Sequence, residues 1–134
     1  MEPFIVATDE RRKFLHIVMR GYWDQPTFDR FADDYVRALH HMRAHGGLET
    51  ALVDGRDFAV QDKHISEQFG ALIARCMPYL ATRTATVVPT HLNKLQAERA
   101  GGEMAARYFI DMDEAEAWLL GTGAAATPTR RAAG

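Results

Sequence analysis

The sequence predicts an α/β protein: a sequentially wound βα superhelix with about four helices and a mixed sheet of about five strands. Short apolar, β-branched segments alternate with segments whose apolar residues recur every three or four positions, which is typical of a sheet joined by right-handed helical crossovers. The first two strand-like segments, in contrast, are separated only by a polar turn, which indicates an antiparallel N-terminal hairpin. The 134 residues suit a single domain.

The predicted hairpin consists of residues 4–8 and 14–20, joined by the polar residues 9–13. In the second strand, Leu15, Ile17 and Met19 alternate with a mixed set that includes His16 and Arg20. Because successive side chains of a strand point to opposite faces, this alternation predicts one fully apolar face and one mixed face.

A long helix is predicted to begin at Asp24, an N-cap residue, with Pro26 in the first turn. Its apolar stripe should comprise Phe28, Phe31, Tyr35, Leu39 and Met42. Gly46 and Gly47 should end it, since glycine readily takes the positive φ of a helix terminus. The next strand, residues 50–53, has no polar alternation, which predicts a central strand covered on both faces.

The remaining elements continue the alternation of helix and strand. A second helix, which Pro78 stops, should bury Ile65, Phe69, Leu72, Ile73 and Cys76. A strand (83–89), a helix (91–99) closed by Gly101 and Gly102, and a strand (106–110) follow. Asp111 or Asp113 should cap the last helix, with Ala115, Trp118 and Leu119 as its buried side. Residues 1–120 are therefore the predicted domain and residues 121–134, without large apolar side chains, a disordered tail.

Composition narrows the classes of function. The net charge of −2 gives no reason to expect a nucleic-acid partner. One cysteine cannot form an internal disulfide or a Cys cluster for a metal, which fits a reducing, cytoplasmic location. No segment approaches the roughly 20 apolar residues of a membrane span, and the first ten residues do not have the pattern of a signal peptide.

Four stretches, "GYWDQPTF", "ALVDGRDF", "RTATVVPTHLNKLQAER" and "RYFIDMDEAEAWLL", resemble in sequence and order the STAS-like proteins. These are small bacterial relatives of the sulfate-transporter and anti-sigma-factor-antagonist domain. The resemblance implies helices packed on a sequentially wound sheet, and a non-enzymatic module for signalling, partner binding or small-ligand binding. In the antagonists of this family that act as phosphorylation switches, a serine or threonine stands next to the aspartate after the third strand. Asp54 is followed here by Gly55, Arg56 and Asp57, which puts phosphorylation-dependent partner switching in doubt.

Those four residues are the main candidate binding site, because ligands of open α/β sheets bind outside the carboxyl ends of the strands. The interpretation is an exposed loop in which two acids and a base meet a polar ligand or a partner. The alternative is a purely structural loop, with Asp54 bonded to nearby backbone N–H groups and Arg56 paired with an acid. Tyr22 is a further candidate binding residue, and Trp23 beside it is expected to pack on Phe28 or its neighbours as a hydrophobic staple.

No catalytic residue, metal site or cofactor is predicted. His41 and His45, four residues apart on one helix, could both ligate a metal, but no acid or thiol completes a recognisable motif, so they are interpreted as solvated residues. Cys76 lies on an apolar stripe and is predicted to be a small buried hydrophobe. The phosphate-loop, dinucleotide-binding and nucleophile-elbow patterns are absent from the sequence.

Two functions follow as hypotheses. The first is a non-enzymatic regulatory or protein-binding module that acts through the segment from Asp54 to Asp57 and the second helix. The alternative is a carrier of a small apolar or amphipathic ligand in a pocket at the strand ends, suggested by flexible and aromatic side chains. These side chains are Met19, Met42, Phe69, Met77, Tyr79 and Trp118. A catalytic use of Asp54 or Asp57 as acid or base, with Arg56 holding an anionic substrate, is a third and weaker hypothesis.

Overall fold

The computed structural model describes residues 2–100 and 106–121, which form five strands and four α-helices. The strands are β1 (Phe4–Asp9), β2 (Phe14–Gly21), β3 (Thr50–Phe58), β4 (Arg83–Val87) and β5 (Ala106–Phe109). The helices are α1 (Gln25–Ala44), α2 (Lys63–Cys76), α3 (His91–Ala100) and α4 (Met112–Leu120). The sheet has the order β1-β2-β3-β4-β5, with β1 antiparallel to β2 and all other neighbours parallel. The predicted fold class and the N-terminal hairpin are confirmed.

Helices α1, α2 and α3 lie on one face of the sheet. Each connects two neighbouring parallel strands, and right-handed crossovers that all advance in the same direction place their helices on the same side. The side chains of Leu15, Ile17 and Ala51 are buried beneath α1 and α2. Helix α4 packs on the opposite face, against Leu52 and Val87. β3 is therefore a central strand covered on both faces, as predicted.

Local capping sets the ends of α1 and α4. The Asp24 carboxylate accepts a hydrogen bond from the Thr27 N–H at 3.0 Å, with Pro26 in the first turn. At the other end, the Gly47 N–H donates to the Met42 carbonyl at 2.7 Å, and both Gly46 and Gly47 have positive φ. Asp111, rather than Asp113, caps α4. These local signals were readable in the sequence because they depend on residues within a few positions of each other.

Trp23 is the centre of the larger core, with only 2% of its surface exposed. Its ring centroid lies 5.0–5.7 Å from those of Phe4, Phe31, Phe58 and Phe69. Its indole Nε1–H donates to the Arg20 carbonyl at 2.8 Å. The expected packing of Trp23 on the first helix is confirmed through Phe31, but the side chain also joins β1, β3 and α2 to that helix.

The smaller core lies under α4 and consists of Leu52, Ala85, Val87, Ala115 and Leu119. Trp118, predicted to be buried, is only partly buried. Its ring lies beneath the guanidinium groups of Arg83 and Arg107, 5.1 and 5.7 Å from the ring centroid. An aromatic ring can contact a cation with one face and the core with the other. The position of Trp118 on the helix therefore did not by itself determine how deeply it is buried.

Several predicted ends differ from the structure by a few residues. β4 ends at Val87, two residues before Pro89, although the Val88 N–H still donates to the Phe109 carbonyl. Helix α2 ends at Cys76, and Pro78 lies in a short 3-10 turn that follows. Gly121 caps α4 with a left-handed backbone, whereas the rest of the predicted tail and the helix end at Gly101 and Gly102 lie outside the described residues. None of the helices in residues 2–100 and 106–121 has the length and apolar character needed to cross a membrane.

Candidate functional site

The segment from Asp54 to Asp57 belongs to β3, so its interpretation as an exposed loop is wrong. Strand β2 continues beside it and pairs Val18 with Asp54 and Arg20 with Asp57, with a register shift between the two pairs. Backbone groups gain more from this ladder than from the turn that Asp-Gly-Arg-Asp favours locally. The strand therefore runs five residues past the predicted end at Val53.

Asp54 and Arg56 form an ion pair on the face of the sheet that carries α4. The Arg56 Nε and Nη2 atoms donate to the two oxygens of Asp54 at 3.0 and 2.9 Å. The Arg56 backbone N–H also donates to Asp54, at 3.2 Å. These hydrogen bonds hold the pKa of the Asp54 carboxyl below its ordinary value, since they stabilise the ionised form. The structural interpretation of this pair, a carboxylate bonded to a nearby N–H group and to Arg56, is confirmed.

Gly55 and Asp57 have different surroundings. Gly55 is buried beside the end of β4, where a Cβ atom would lie 3.2 Å from the Val87 carbonyl oxygen. That distance is tighter than ordinary packing, so Gly55 has a structural reason to lack a side chain. Asp57, like Arg56, is exposed. Of the four candidate residues, Arg56 and Asp57 are thus the two whose side chains present substantial surface to a partner.

Tyr22 lies apart from this group, at the N-terminal ends of α1 and α2. Its side chain is exposed and its hydroxyl donates to Asp62 at 3.3 Å. Within the described residues, no hydrogen bond or ion pair joins it to residues 54–57. Asp62 and Asp24 already cap the two helices, so the hollow beside Tyr22 carries carboxylates where an anion would bind. The five predicted binding residues therefore do not form one site.

The structure predicts unequal effects of removing the two acids of this strand. Asp54→Ala should lower the free energy of unfolding by about 1–2 kcal/mol, because a backbone N–H and a guanidinium lose their acceptor. Asp57→Ala, its matched control, should change it by no more than about 0.5 kcal/mol, as is usual for an exposed charge. Urea denaturation near neutral pH measures both. A larger loss for Asp57→Ala would contradict the placement of these side chains.

Acidification should remove the same contribution. The pKa of Asp54 is lower in the folded protein than in the unfolded chain, so its stabilisation is complete above its unfolded pKa of about 3.9 and is lost as the pH falls through the folded value. The difference in stability between the wild type and Asp54→Ala should therefore shrink in the acidic range, which the same denaturation series tests.

An apolar cavity of about 500 Å³ lies between the sheet and helices α1, α2 and α3. Its floor includes Leu15, Ile17, Ala51 and Val53. Of the side chains that suggested a pocket, Met19, Phe69 and Met77 line it. Met42 is instead fully buried in the core, and Tyr79 and Trp118 do not line the cavity. The expected pocket at the strand ends is therefore corrected: this cavity lies over the sheet face.

Small side chains on α2 leave the cavity open. Ser66, Gly70 and Ala74 recur at every fourth position, which places them on one side of the helix, and all three are exposed along the edge of the cavity. A Cβ atom at Gly70 would meet nothing within 4 Å. Across the opening, α3 contributes Ala97. The gap between α2 and α3 is thus the entrance of the cavity.

Hydroxyl groups are the polar part of the cavity wall. Tyr35 is almost fully buried and Thr84 is 7% exposed, whereas Tyr108 is half-buried. Within the described residues, none of these three hydroxyls has a hydrogen-bond partner. Burial raises the pKa of both tyrosines, so they stay neutral donors. A buried polar group without a partner is uncommon, and a bound molecule is one way to satisfy it.

Cys76 is buried next to this wall, with 4% of its surface exposed. Desolvation raises the pKa of its thiol, which opposes formation of the reactive thiolate. The prediction that Cys76 is a small buried hydrophobe is confirmed.

The histidine pair has a neighbour that sequence reasoning missed. The hairpin turn places Glu10 beside α1, and its carboxylate lies 2.6 Å from His41 Nε2 and 3.9 Å from His45 Nε2. Both histidines are exposed at the C-terminal end of α1, which agrees with their interpretation as solvated residues, but the contact with Glu10 was not predicted. No local sequence pattern pairs Glu10 with the two histidines, because Glu10 lies 31 positions before His41 and 35 before His45. The three residues meet only because the hairpin packs on α1.

Comparison with known proteins supports the fold and no more. A scan of protein families found no matching family, and a search of curated proteins found no match. Among solved structures, an uncharacterised protein of the DUF3478 family with a SpoIIAA-like fold, from Shewanella loihica PV-4, superimposes with a TM-score of 0.68. The match covers 89% of this chain and 95% of that one at 16% sequence identity. The chain thus has the SpoIIAA-like fold, which is the fold of the STAS-like proteins that the sequence resembles.

Proposed function

We propose that this chain is a non-enzymatic STAS-like module that binds a small apolar or amphipathic molecule in the cavity between the sheet and α1–α3. The observation that carries the proposal is the cavity itself. Its volume of about 500 Å³ lies within the range of about 300–1,000 Å³ common for small-molecule sites. Apolar walls with a few hydroxyl groups are also typical of such sites, because the walls supply affinity and the hydroxyls fix orientation.

The wall chemistry favours a neutral ligand. Every residue that lines the cavity in the described part of the chain has an uncharged side chain. A carboxylate or phosphate inside it would lose its hydration without gaining a cation, which is costly. Hydroxyl donors at Tyr35, Tyr108 and Thr84 instead suit a carbonyl, ether or hydroxyl group on an otherwise apolar molecule. An ionised head group would have to remain outside, at the entrance between α2 and α3.

Binding without catalysis is the simpler use of this site. The lining residues of the described chain include no histidine, cysteine, aspartate or glutamate that could act as nucleophile or general base. The acids considered for catalysis, Asp54 and Asp57, belong to the opposite face of the sheet or its exposed end, and Asp54 is engaged by Arg56. Both points support a binding role.

Occluding the cavity should remove binding without unfolding the protein. The probe is N-phenyl-1-naphthylamine, a neutral apolar dye, titrated into the purified full chain. Gly70→Trp should weaken dye binding at least tenfold, because the indole enters the space beside the α2 edge. Gly70→Ala is the matched control: it should bind the dye like the wild type, and it should stabilise the helix by about 0.5–1 kcal/mol.

A second variant distinguishes loss of dye binding from loss of folding. Ala74→Trp, one turn further along the same helix edge, should reproduce the loss, and the melting temperature of each variant shows whether it folds. Dye binding by wild type that neither tryptophan affects would refute the cavity as the site. Absence of dye binding, together with a native mass spectrum free of any retained small molecule, would refute the ligand-binding function.

Contact with a protein partner is a second candidate, favoured by the face of the hairpin that α4 leaves open. Helix α4 packs over β3, β4 and β5, whereas Ile5 on β1 remains 41% exposed. Arg56 and Asp57 are exposed at the end of β3, where Asp57 pairs with Arg20 of β2, and they supply opposite charges. Charge reversal at both positions should then change affinity for a recovered partner while dye binding stays unchanged, which separates the two functions.

A further inference from the structure

One exposed corner of the molecule brings together three side chains with metal-ligating atoms. His41 and His45 occupy successive turns at the C-terminal end of α1, and Glu10 reaches them from the turn between β1 and β2. One ligand atom from each of the three lies within 4.8 Å of the others. The imidazole ring centroids are 4.3 Å apart. Two sequence-distant segments therefore present two nitrogens and a carboxylate to the same point.

The orientation of His45 favours coordination. Its Nδ1 lies 2.8 Å from the His41 carbonyl oxygen, a contact that an Nδ1–H donor satisfies. This tautomer leaves the Nε2 lone pair free, and Nε2 is the atom that faces Glu10. Histidines that bind metals commonly donate their second ring N–H to a backbone carbonyl in this way, which fixes both the tautomer and the ring.

We propose that Glu10, His41 and His45 form a binding site for a zinc-like divalent transition-metal ion, with water in the remaining coordination positions. Zinc bound at about 2.0–2.2 Å in a tetrahedron separates its ligand atoms by about 3.3–3.5 Å. The present separations of the Glu10 oxygens from the two Nε2 atoms, 2.6 and 3.9 Å, lie on either side of this value. Small side-chain rotations would therefore complete the site.

Two cationic side chains near the site, Lys13 and Arg43, have partners outside it. Lys13 lies in the same turn, but its ammonium group is directed to Glu49, 4.0 Å away. Arg43 is directed to the ring of Tyr79, 4.9 Å from its centroid. The unsatisfied carbonyl groups at the C-terminal end of α1 carry partial negative charge, which favours a nearby cation. Glu10 contributes a full negative charge.

Two imidazoles and one carboxylate favour zinc, nickel or copper over magnesium and calcium, which prefer oxygen ligands. Three protein ligands also leave an open position. The bound ion would join the hairpin turn to the end of α1. It lies at a different place from the cavity, so the inference is independent of the proposed function.

Calorimetric titration of the tag-free full chain with zinc chloride at neutral pH tests the site. The wild type should bind one ion, and its melting temperature should rise in zinc. Glu10→Gln and the double variant His41→Ala, His45→Ala should each bind zinc at least tenfold more weakly. His64→Ala removes an exposed histidine outside the cluster and should bind as the wild type does.

Melting temperatures and cobalt spectra distinguish loss of metal ligands from loss of the fold. Because all three residues are exposed, the variants should keep the metal-free melting temperature, which shows that the loss is of ligands and not of fold. In cobalt-loaded protein, visible absorption bands of tetrahedral intensity should appear for the wild type and be lost in the double variant. Equal zinc affinity of the wild type and the double variant, or failure of the wild type to bind zinc below millimolar concentration, would overturn the site.

Discussion

Trp23→Ala should lower the free energy of unfolding by about 3–5 kcal/mol, the largest effect expected of any single truncation in this core. The indole is 2% exposed and packs against four phenylalanine rings that come from β1, α1, β3 and α2. Its removal would leave a large cavity at the point where these elements meet, and it would also leave the Arg20 carbonyl without its indole donor. Urea denaturation followed by far-ultraviolet circular dichroism measures the loss.

The neighbouring aromatic residue provides the control. Tyr22 is 64% exposed and makes only a 3.3 Å hydrogen bond to Asp62, so Tyr22→Ala should change stability by about 0.5 kcal/mol or less. Trp23→Phe separates the two contributions of the indole, because it keeps an aromatic ring and removes only the N–H donor and part of the volume. Equal stability of Trp23→Ala and Tyr22→Ala would contradict the central position of Trp23.

Leu52→Ala should cost about 2–5 kcal/mol. Leu52 lies on the central strand, 4% exposed, and is the residue through which β3 contributes to the core under α4. Two of the buried residues of this core, Ala85 and Ala115, have no atoms beyond Cβ that could move to fill the space left by an isobutyl group. Cavity formation should therefore add to the lost hydrophobic burial.

Leu120→Ala is the matched control, with the same chemical change on α4 at a residue that is 78% exposed. It should change stability by no more than about 0.5 kcal/mol. A cost below about 1 kcal/mol for Leu52→Ala would mean that α4 contributes little to the stability of the sheet. In that case the smaller core would be a loosely attached layer, and the larger core around Trp23 would carry most of the stability.

The order and type of the elements could be predicted because they depend on short-range patterns. The polar turn between two apolar strands specified the hairpin, and the spacing from Phe28 to Met42 specified the buried side of α1. Asp24 and Asp111 cap helices through backbone groups two or three residues away, so their effect is contained in the local sequence. The sequential winding then follows from the right-handed crossover, which leaves few ways to join neighbouring parallel strands.

The candidate site was predicted less well, and the errors have a common cause. The segment from Asp54 to Asp57 has the composition of a turn, so local propensity predicts a loop there. Pairing with β2 outweighs this propensity and extends β3 through the segment. Tyr22 was a separate candidate because tyrosine is favoured at interfaces, and its hydroxyl contacts Asp62, the N-cap residue of α2, rather than the end of β3. Strand pairing and helix position depend on the whole fold, so the sequence of a single segment does not specify them.

The cavity, like the candidate site, could be predicted only in part from the sequence. Flexible and aromatic side chains indicated that a pocket could exist, but only some of them line it. Met19 and Met77 line the cavity, whereas Met42 is fully buried in the core. The small residues Ser66, Gly70 and Ala74, which open it, carried no separate signal in the sequence. Whether a small residue packs closely against a neighbour or faces a space depends on the separation of α2 from α3, and only the folded structure sets that separation.

The sequence by itself determined the α/β class, the hairpin, the two ends of α1 and the absence of a hydroxyl group between Asp54 and Asp57, since each is a matter of residue type, periodicity or contacts within one turn. The tertiary structure alone decided that β3 extends to Phe58, that a cavity lies under α1–α3, and that Glu10 meets His41 and His45. These features depend on which surfaces of distant segments come together. That choice is made by the burial of the whole core, with Trp23 at its centre, and not by any one segment.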